Sequence, residues 1–251
     1  FDYRLAVGSI EAGADKIRIN PGNIGTLENV KKVVDAAGLR NIPIRVGVNS
    51  GSLEKDILAK NHGVTAEGLA ESALRNVKVI EGFDYDNIVV SMKSSDVRMT
   101  FEAHKIAAAR TEHPFHIGIT EAGTMRRGKI KSAAGIGGLL LSGIGDTIRV
   151  SLTADPVEEV RFARELLESI GFVESRYNLI SCPTCGRTRI GLEELASQVD
   201  MRLSSMDNLP EGLKIAVMGC VVNGPGESAE ADFGCCGGDG KGIIFAKGKV
   251  I

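Results

Sequence analysis

Short β-branched runs alternate with amphipathic helical segments through the first two thirds of this 251-residue chain, and that alternation limits the folds open to it. Strands are expected over residues 16–20, 42–49, 87–91, 114–120 and 147–153. Thr65 is placed to cap a helix carrying Leu69, Ala73, Val77 and Ile80 on one face, and Asp96 to cap one running through Phe101, Ile106 and Ala109. Asp155 reads as the N-cap of a further helix, with Pro156 first, Glu158 closing a capping box and Gly171 at its end. Its expected apolar face is Val157, Val160, Ala163, Leu167 and Ile170. Strands joined by helices pair in parallel through right-handed crossovers. The expectation is therefore an α/β fold, either an open doubly wound sheet or a partial (β/α)8 TIM barrel holding its later five strands. Both chain ends fall inside expected elements and read as cuts.

Gly135-Ile136-Gly137-Gly138 is not read as a dinucleotide loop, because it precedes a strand and lacks the G-x-G-x-x-G spacing. Close helix packing and a turn at residues 143–145 account for it. Past Gly171 the pattern changes to a strand at 178–181, a helix at 192–203, a strand at 213–218 and a glycine-dense polar loop. A hairpin follows over 243–246 and 249–251, turning at Lys247-Gly248. Two domains are expected, residues 1–171 and 172–251.

Lys and Arg total 30 against 32 Asp and Glu, a net charge of -2, so the basic footprint of a nucleic-acid binder is missing. Aromatic residues make up 4% with no Trp, which removes base-stacking platforms as well. No apolar run approaches the ~20 residues of a membrane helix, and no signal peptide is expected. All five cysteines fall in the last third, in C-x-x-C and glycine-rich settings, a pattern that points to a reducing cytoplasm and a metal or cluster.

Strand alternation puts Arg18 with Asn20, Arg45 with Gly47 and Asn49, Ser91 with Lys93, and Arg149 with Ser151 and Thr153. Ile17, Ile19, Val46, Val48, Ile148 and Val150 take the opposite, helix-covered face. Burying a guanidinium costs several kcal/mol unless it is paired, and repeating it on three strands asks for an anion. Arg18, Arg45, Lys93 and Arg149 are thus candidates to bind a phosphorylated ligand, with Asn20 and Asn49 adding hydrogen bonds. Internal pairing with Glu121, Asp96 or Asp146 is the alternative. Glu121 directly follows a strand, where it suits a general acid, a hydroxyl-binding group or an arginine partner. His113 and His116 flank Pro114 without suggesting a metal site, and His62 and His104 are expected at the surface.

Cys182 and Cys185 form C-x-x-C, and Cys220 follows the next strand. A parallel βαβ unit would bring Cys182 and Cys220 together at adjacent strand ends, with Cys185 on the turn beside them. Structural zinc normally takes four Cys or His ligands, yet no histidine occurs after residue 116. Three thiolates fit an iron–sulfur cluster with an exchangeable fourth ligand, and zinc remains the rival. Cys235 and Cys236 are expected to stay off the metal.

Cys182-Pro-Thr-Cys185-Gly-Arg-Thr and Met218-Gly-Cys220-Val-Val-Asn-Gly-Pro-Gly-Glu227 resemble the cluster motif of the 4-hydroxy-3-methylbut-2-enyl diphosphate synthase family. Lys16-Ile-Arg-Ile-Asn-Pro-Gly-Asn-Ile-Gly25, Arg45-Val-Gly-Val-Asn-Ser-Gly-Ser52, Ser91-Met-Lys-Ser-Ser-Asp96, Thr120-Glu-Ala-Gly123 and Gly143-Ile-Gly-Asp-Thr-Ile-Arg-Val-Ser-Leu-Thr153 extend the resemblance in order along the chain. It implies a TIM barrel followed by a cluster domain similar to sulfite-reductase modules. It also implies a [4Fe-4S] cluster on Cys182, Cys185 and Cys220 with Glu227 as fourth ligand. The implied reaction is a two-electron reductive ring opening of a cyclic methylerythritol diphosphate, with electrons from flavodoxin or ferredoxin. The implied assembly is a homodimer in which the cluster domain of one subunit closes over the other's barrel. The competing functions are a phosphate-sugar barrel enzyme with structural zinc, and a non-catalytic iron–sulfur redox module.

Overall fold

Local caps start most of the helices. The Asp2 carboxylate accepts from Arg4 N at the head of α1 (Tyr3–Glu11), and Asn20 accepts from Gly22 N at α2 (Pro21–Ile24). Thr26 caps α3 (Leu27–Arg40), Thr65 caps α5 (Ala66–Glu81) and Asp96 caps α6 (Val97–Ala108). The shorter α4 (Lys55–Lys60) lies between α3 and α5. The computed structural model describes residues 2–220, 226, 229–238 and 241–251. It divides into two compact units, Phe1–Ile170 and Gly171–Ile251.

In the first unit β1 (Ile17–Ile19), β2 (Ile44–Asn49) and β3 (Ile88–Lys93) pair in parallel and in chain order. A parallel bridge from Val90 to Phe115 carries the array on to β4 (His116–Ile117), which pairs with β5 (Thr147–Ile148). Regular pairing in β4 and β5 is shorter than the sequence suggests. Pro114 brings no N–H, and the chain past Gly118 bends toward Glu121, whose φ is +51°. Ile17, Ile19, Ile44, Val46, Val48, Ile88, Val90, Met92 and Ile117 are buried in one core with the apolar faces of α3, α5 and α6.

Helices α7 (Met125–Ser132) and α8 (Gly138–Leu141) are joined by a π-turn over Ala133–Gly137. A side chain at Gly135 would come within 2.8 Å of Ile119 Cγ1, so this glycine serves close packing. Helix α9 (Pro156–Ser169) starts as expected, Asp155 accepting from Val157 N. Its box does not close: Glu158 pairs with Arg161 instead, while Glu159 accepts from Leu152 N. The buried face also differs from expectation. Val157 and Val160 are exposed, and Phe162, Ala163, Leu166, Leu167 and Ile170 pack inward, because α9 docks through its later turns. His104 is buried rather than at the surface. Its ring sits edge-on to Phe115, Nδ1 lies 2.7 Å from Thr100 O, and burial holds it down to about 4, so it is neutral at neutral pH.

The second unit is a five-stranded sheet in the order β10-β9-β8-β7-β6, with one helix, α10 (Leu192–Ser204), between its first two strands in sequence. Strands β6 (Tyr177–Ser181), β7 (Leu213–Met218) and β8 (Phe233–Gly238) are mutually parallel. Strands β9 (Lys241–Ala246) and β10 (Lys249–Val250) return antiparallel through a turn at Lys247 and Gly248, both at positive φ. Strand β8 occupies part of the sequence expected to be loop. Its Phe-Gly-Cys-Cys-Gly-Gly composition carries little strand propensity, and pairing on both sides decides its conformation. Ala216, Met218, Ala231, Cys236 and Phe245 form the small core. Among the described residues no helix is long and apolar enough to cross a membrane.

Candidate active site

The first unit gathers cations on the sheet face opposite its helices. Arg18 stands beside Arg45 across β1 and β2, and Asn49 beside Lys93 across β2 and β3. The Arg18 guanidinium folds over the next strand, donating from Nη2 to Gly47 O at 3.0 Å. A methyl group at Gly47 would collide with the Arg18 Nε and come within 2.9 Å of its Cζ, so the missing side chain is what admits the guanidinium. Gly118 plays the same part just past β4: the Lys93 ammonium lies 3.3 Å from where its Cβ would be, with the Arg149 carbonyl closer still.

Among the described residues, no ion pair joins Arg18, Arg45, Lys93 or Arg149 to an acid. Glu121 is exposed, in a left-handed backbone conformation uncommon for a residue with a side chain. Asp146 accepts from Phe115 N, and Asp96 caps α6. The pairing alternative therefore finds no partner among these acids.

The electrostatics follow. Burial, then repulsion from Arg45, Arg149 and Arg18, lowers Lys93 to about 8. Arg45 is pushed below its ordinary value by burial, then by Arg18 and Arg149, and its Nε is buried with no hydrogen-bond partner among the described residues. Burial alone lowers Arg18. A group of mutually repelling, partly dehydrated cations binds an oxyanion with charge-assisted hydrogen bonds and relieves its own repulsion in doing so. Asn20 is buried with its oxygen used in capping: Gly22 N donates both to Asn20 Oδ1 at 3.1 Å and to Asn76 Oδ1 at 3.0 Å. Asn76 and Glu54, which accepts from Asn76 Nδ2 and Ser72 Oγ, extend this support. Sequence reasoning missed them because a mid-helix Asn carries no local signal.

In the second unit Cys182 directly follows β6 and Cys220 lies two residues beyond β7, at the same ends of adjacent parallel strands. Gly219 N donates to Cys182 Sγ at 3.3 Å. The Cys185 thiol is held below its ordinary value first by the Arg187 backbone N–H and then by the Thr188 hydroxyl. Backbone donors aimed at sulfur are what an iron-bound thiolate uses, and the donor set fits a cluster. Among the described residues no three His, Cys, Asp or Glu side chains are grouped to hold a metal. Closing three thiolates on one another costs repulsion that only a bound metal offsets. Glu227 lies outside the described residues. Cys235 and Cys236 sit within β8, and the Cys236 thiol is pushed up by burial and then by Cys220.

Fold and site together define an α/β protein with a cluster of unpaired cations on one sheet face, among the described residues, and a second, cysteine-bearing α/β unit. The chain belongs to the GcpE family: the GcpE TIM-barrel domain matches residues 1–164 and the GcpE protein C-terminal domain residues 178–251. Its relatives include proteins named 4-hydroxy-3-methylbut-2-en-1-yl diphosphate synthase (flavodoxin). That of Caldanaerobacter subterraneus subsp. tengcongensis is 59% identical over 250 residues, 100% of this chain and 70% of the relative. Those of Clostridium perfringens and Bacillus subtilis are 57% and 54% identical over 251 residues, all of this chain and 71% and 66% of theirs.

Proposed function

We propose that this chain catalyses the reductive ring opening of 2-C-methyl-D-erythritol 2,4-cyclodiphosphate to (E)-4-hydroxy-3-methylbut-2-enyl diphosphate in the cytoplasm, as an oxidoreductase of isoprenoid biosynthesis. The observation that carries the reading is the set of four cations on one sheet face with no acid paired to them among the described residues. A redox-sensing module has no use for such a set, and a cyclic diphosphate does. The names of the relatives supply the reaction and the donor, a reduced flavodoxin; ferredoxin is the other donor that the resemblance implies.

Arg18, Arg45, Lys93 and Arg149 hold and orient the diphosphate, and Asn49 stands beside Lys93 to bind a ligand oxygen. Asn20 caps α2, the short helix that follows β1. In the reaction two electrons enter, a C–O bond of the ring breaks, and a hydroxyl leaves as water after taking a proton. Glu121, exposed in the middle of the loop after β4, is the residue proposed to bind that hydroxyl or deliver its proton. Cys182, Cys185 and Cys220, with Glu227, would hold a [4Fe-4S] cluster, which supplies the electrons when bound. A carboxylate is a weak ligand for such a cluster and the most readily displaced. The five parallel strands correspond in this reading to the later part of an eight-stranded barrel, the second unit to a module similar to those of sulfite reductase, and the working assembly to a homodimer.

Iron and sulfide analysis of anaerobically purified protein, with turnover of the cyclic diphosphate by reduced flavodoxin, tests the reading. Four irons per chain and product formation are expected; zinc in their place, or no turnover by an iron-replete sample, would sink it. Glu121→Gln should bind the substrate about as well as the parent and turn over far more slowly if the carboxyl delivers the proton. Normal turnover would remove that role.

A further inference from the structure

His116 is in β4 on the same face as Gly118, and it is 8% exposed. Its Nδ1 lies 2.9 Å from Thr147 Oγ1, while its Nε2 is enclosed and has no hydrogen-bond partner among the described residues. The Lys93 ammonium stands over Gly118, two residues further along the chain and just past the end of β4, a step of roughly 6.6 Å for extended backbone. The charged groups that act on the imidazole are Lys93, Arg45, Lys16 and Arg149, all cations. Every one of them is a hydrogen-bond donor and none an acceptor. None of these charged groups could accept from an Nε2–H. That charge environment favours the tautomer in which Nδ1–H donates to Thr147 Oγ1 and Nε2 keeps its lone pair.

We propose, on the reading of the cation cluster given above, that His116 is a positioning residue: its Nε2 lone pair accepts a hydrogen bond from the Lys93 ammonium when an anion is bound, and so fixes where that ammonium stands over Gly118. The two groups are not bonded in this structure, where four cations repel one another. A bound diphosphate neutralises that repulsion, and rotation of the flexible lysine stem closes the gap. The imidazole remains neutral because burial, then Lys93 and Arg45, hold it down to about 3. It thus adds an acceptor to the cluster without adding a fifth charge. A ligand reaching pre-placed donors loses less freedom on binding than one that must order them.

The test uses the full chain and inorganic pyrophosphate as probe, measured by titration calorimetry. His116→Phe keeps a ring without the acceptor, and His116→Gln keeps an acceptor oxygen near the Nε2 position. The Phe variant is expected to bind about tenfold more weakly and the Gln variant within about threefold of the parent, the span of one hydrogen bond to a charged group. In a Lys93→Met background the Phe substitution should cost no further affinity. Equal losses in the Phe and Gln variants, or a full loss in the Lys93→Met background, would reduce His116 to packing. Nitrogen-15 NMR of the unsubstituted protein gives an independent reading: an Nδ1–H tautomer is expected, and a protonated Nε2 overturns the proposal whatever the ligand does. If the unsubstituted protein bound neither pyrophosphate nor the cyclic diphosphate, the functional reading would fall, and the tautomer would still decide the His116 geometry.

Discussion

An ammonium held among three guanidinium groups works against the fold that holds it. Lys93 falls from its ordinary 10.5 to about 8, so between those values the unfolded chain binds more protons than the folded one. Stability should therefore rise with pH from about 8 toward 10.5, and the penalty is fully present below about 8. Lys93→Met removes the charge and keeps the stem. It is expected to stabilise the protein at pH 7 by ~1 kcal/mol in urea melts, to flatten that pH rise, and to weaken diphosphate binding to a level still measurable by calorimetry. Destabilisation instead would mean that the ammonium has a neutralising partner. Gly47→Ala tests the same cluster from the other side. The colliding group is the end of a flexible arginine, so the fold should survive while Arg18 is expelled from its place over β2. Pyrophosphate affinity is expected to drop about tenfold with little change in melting temperature. Unchanged affinity would show that Arg18 binds the ligand from elsewhere.

Strand β8 shows how an element can exist against its own composition. Its glycines are where neighbouring side chains cross the sheet: a Cβ at Gly234 would strike the Phe245 ring and come within 2.8 Å of the Ala216 carbonyl, and one at Gly237 within 2.9 Å of Ile190 Cδ1. Gly234→Ala is expected to cost about 1–3 kcal/mol by overpacking. Because β8 pairs directly with β7, which leads to Cys220, iron content should fall with stability. An alanine variant with unchanged melting and full iron would show that Phe245 has room to move. The sequence reading placed a loop here because strand signals are local and β8 lacks them. Helices α5 and α6, by contrast, begin at the expected Thr65 and Asp96, since capping is decided within three residues.

The two units differ in the means each has to stay folded. The first buries an extensive aliphatic core, whereas the second has, among the described residues, a main cluster of Ala216, Met218, Ala231, Cys236 and Phe245, with Leu192, Leu203 and Val217 buried outside it. A core that small is marginal alone and gains from a metal that holds distant segments together. Scanning calorimetry of the iron-loaded protein should show two transitions, and anaerobic removal of iron should lower only one of them, by roughly 10 °C or more. A single transition unaffected by iron would contradict this.

Periodicity and caps, which act within a turn or a strand, made the parallel α/β order, the polar face of each strand and the second unit's first two strands and hairpin readable from sequence alone. Cys182 and Cys220 could be placed at neighbouring strand ends for the same reason, because a βαβ crossover leaves one geometry. Tertiary packing decided the rest. Whether a histidine is buried, as His104 and His116 are, depends on which distant strand covers its helix or sheet face. Whether four cations form one site depends on strand register and on Gly47 and Gly118 leaving room across the sheet. Such contacts join residues tens of positions apart, and a local pattern carries no record of them.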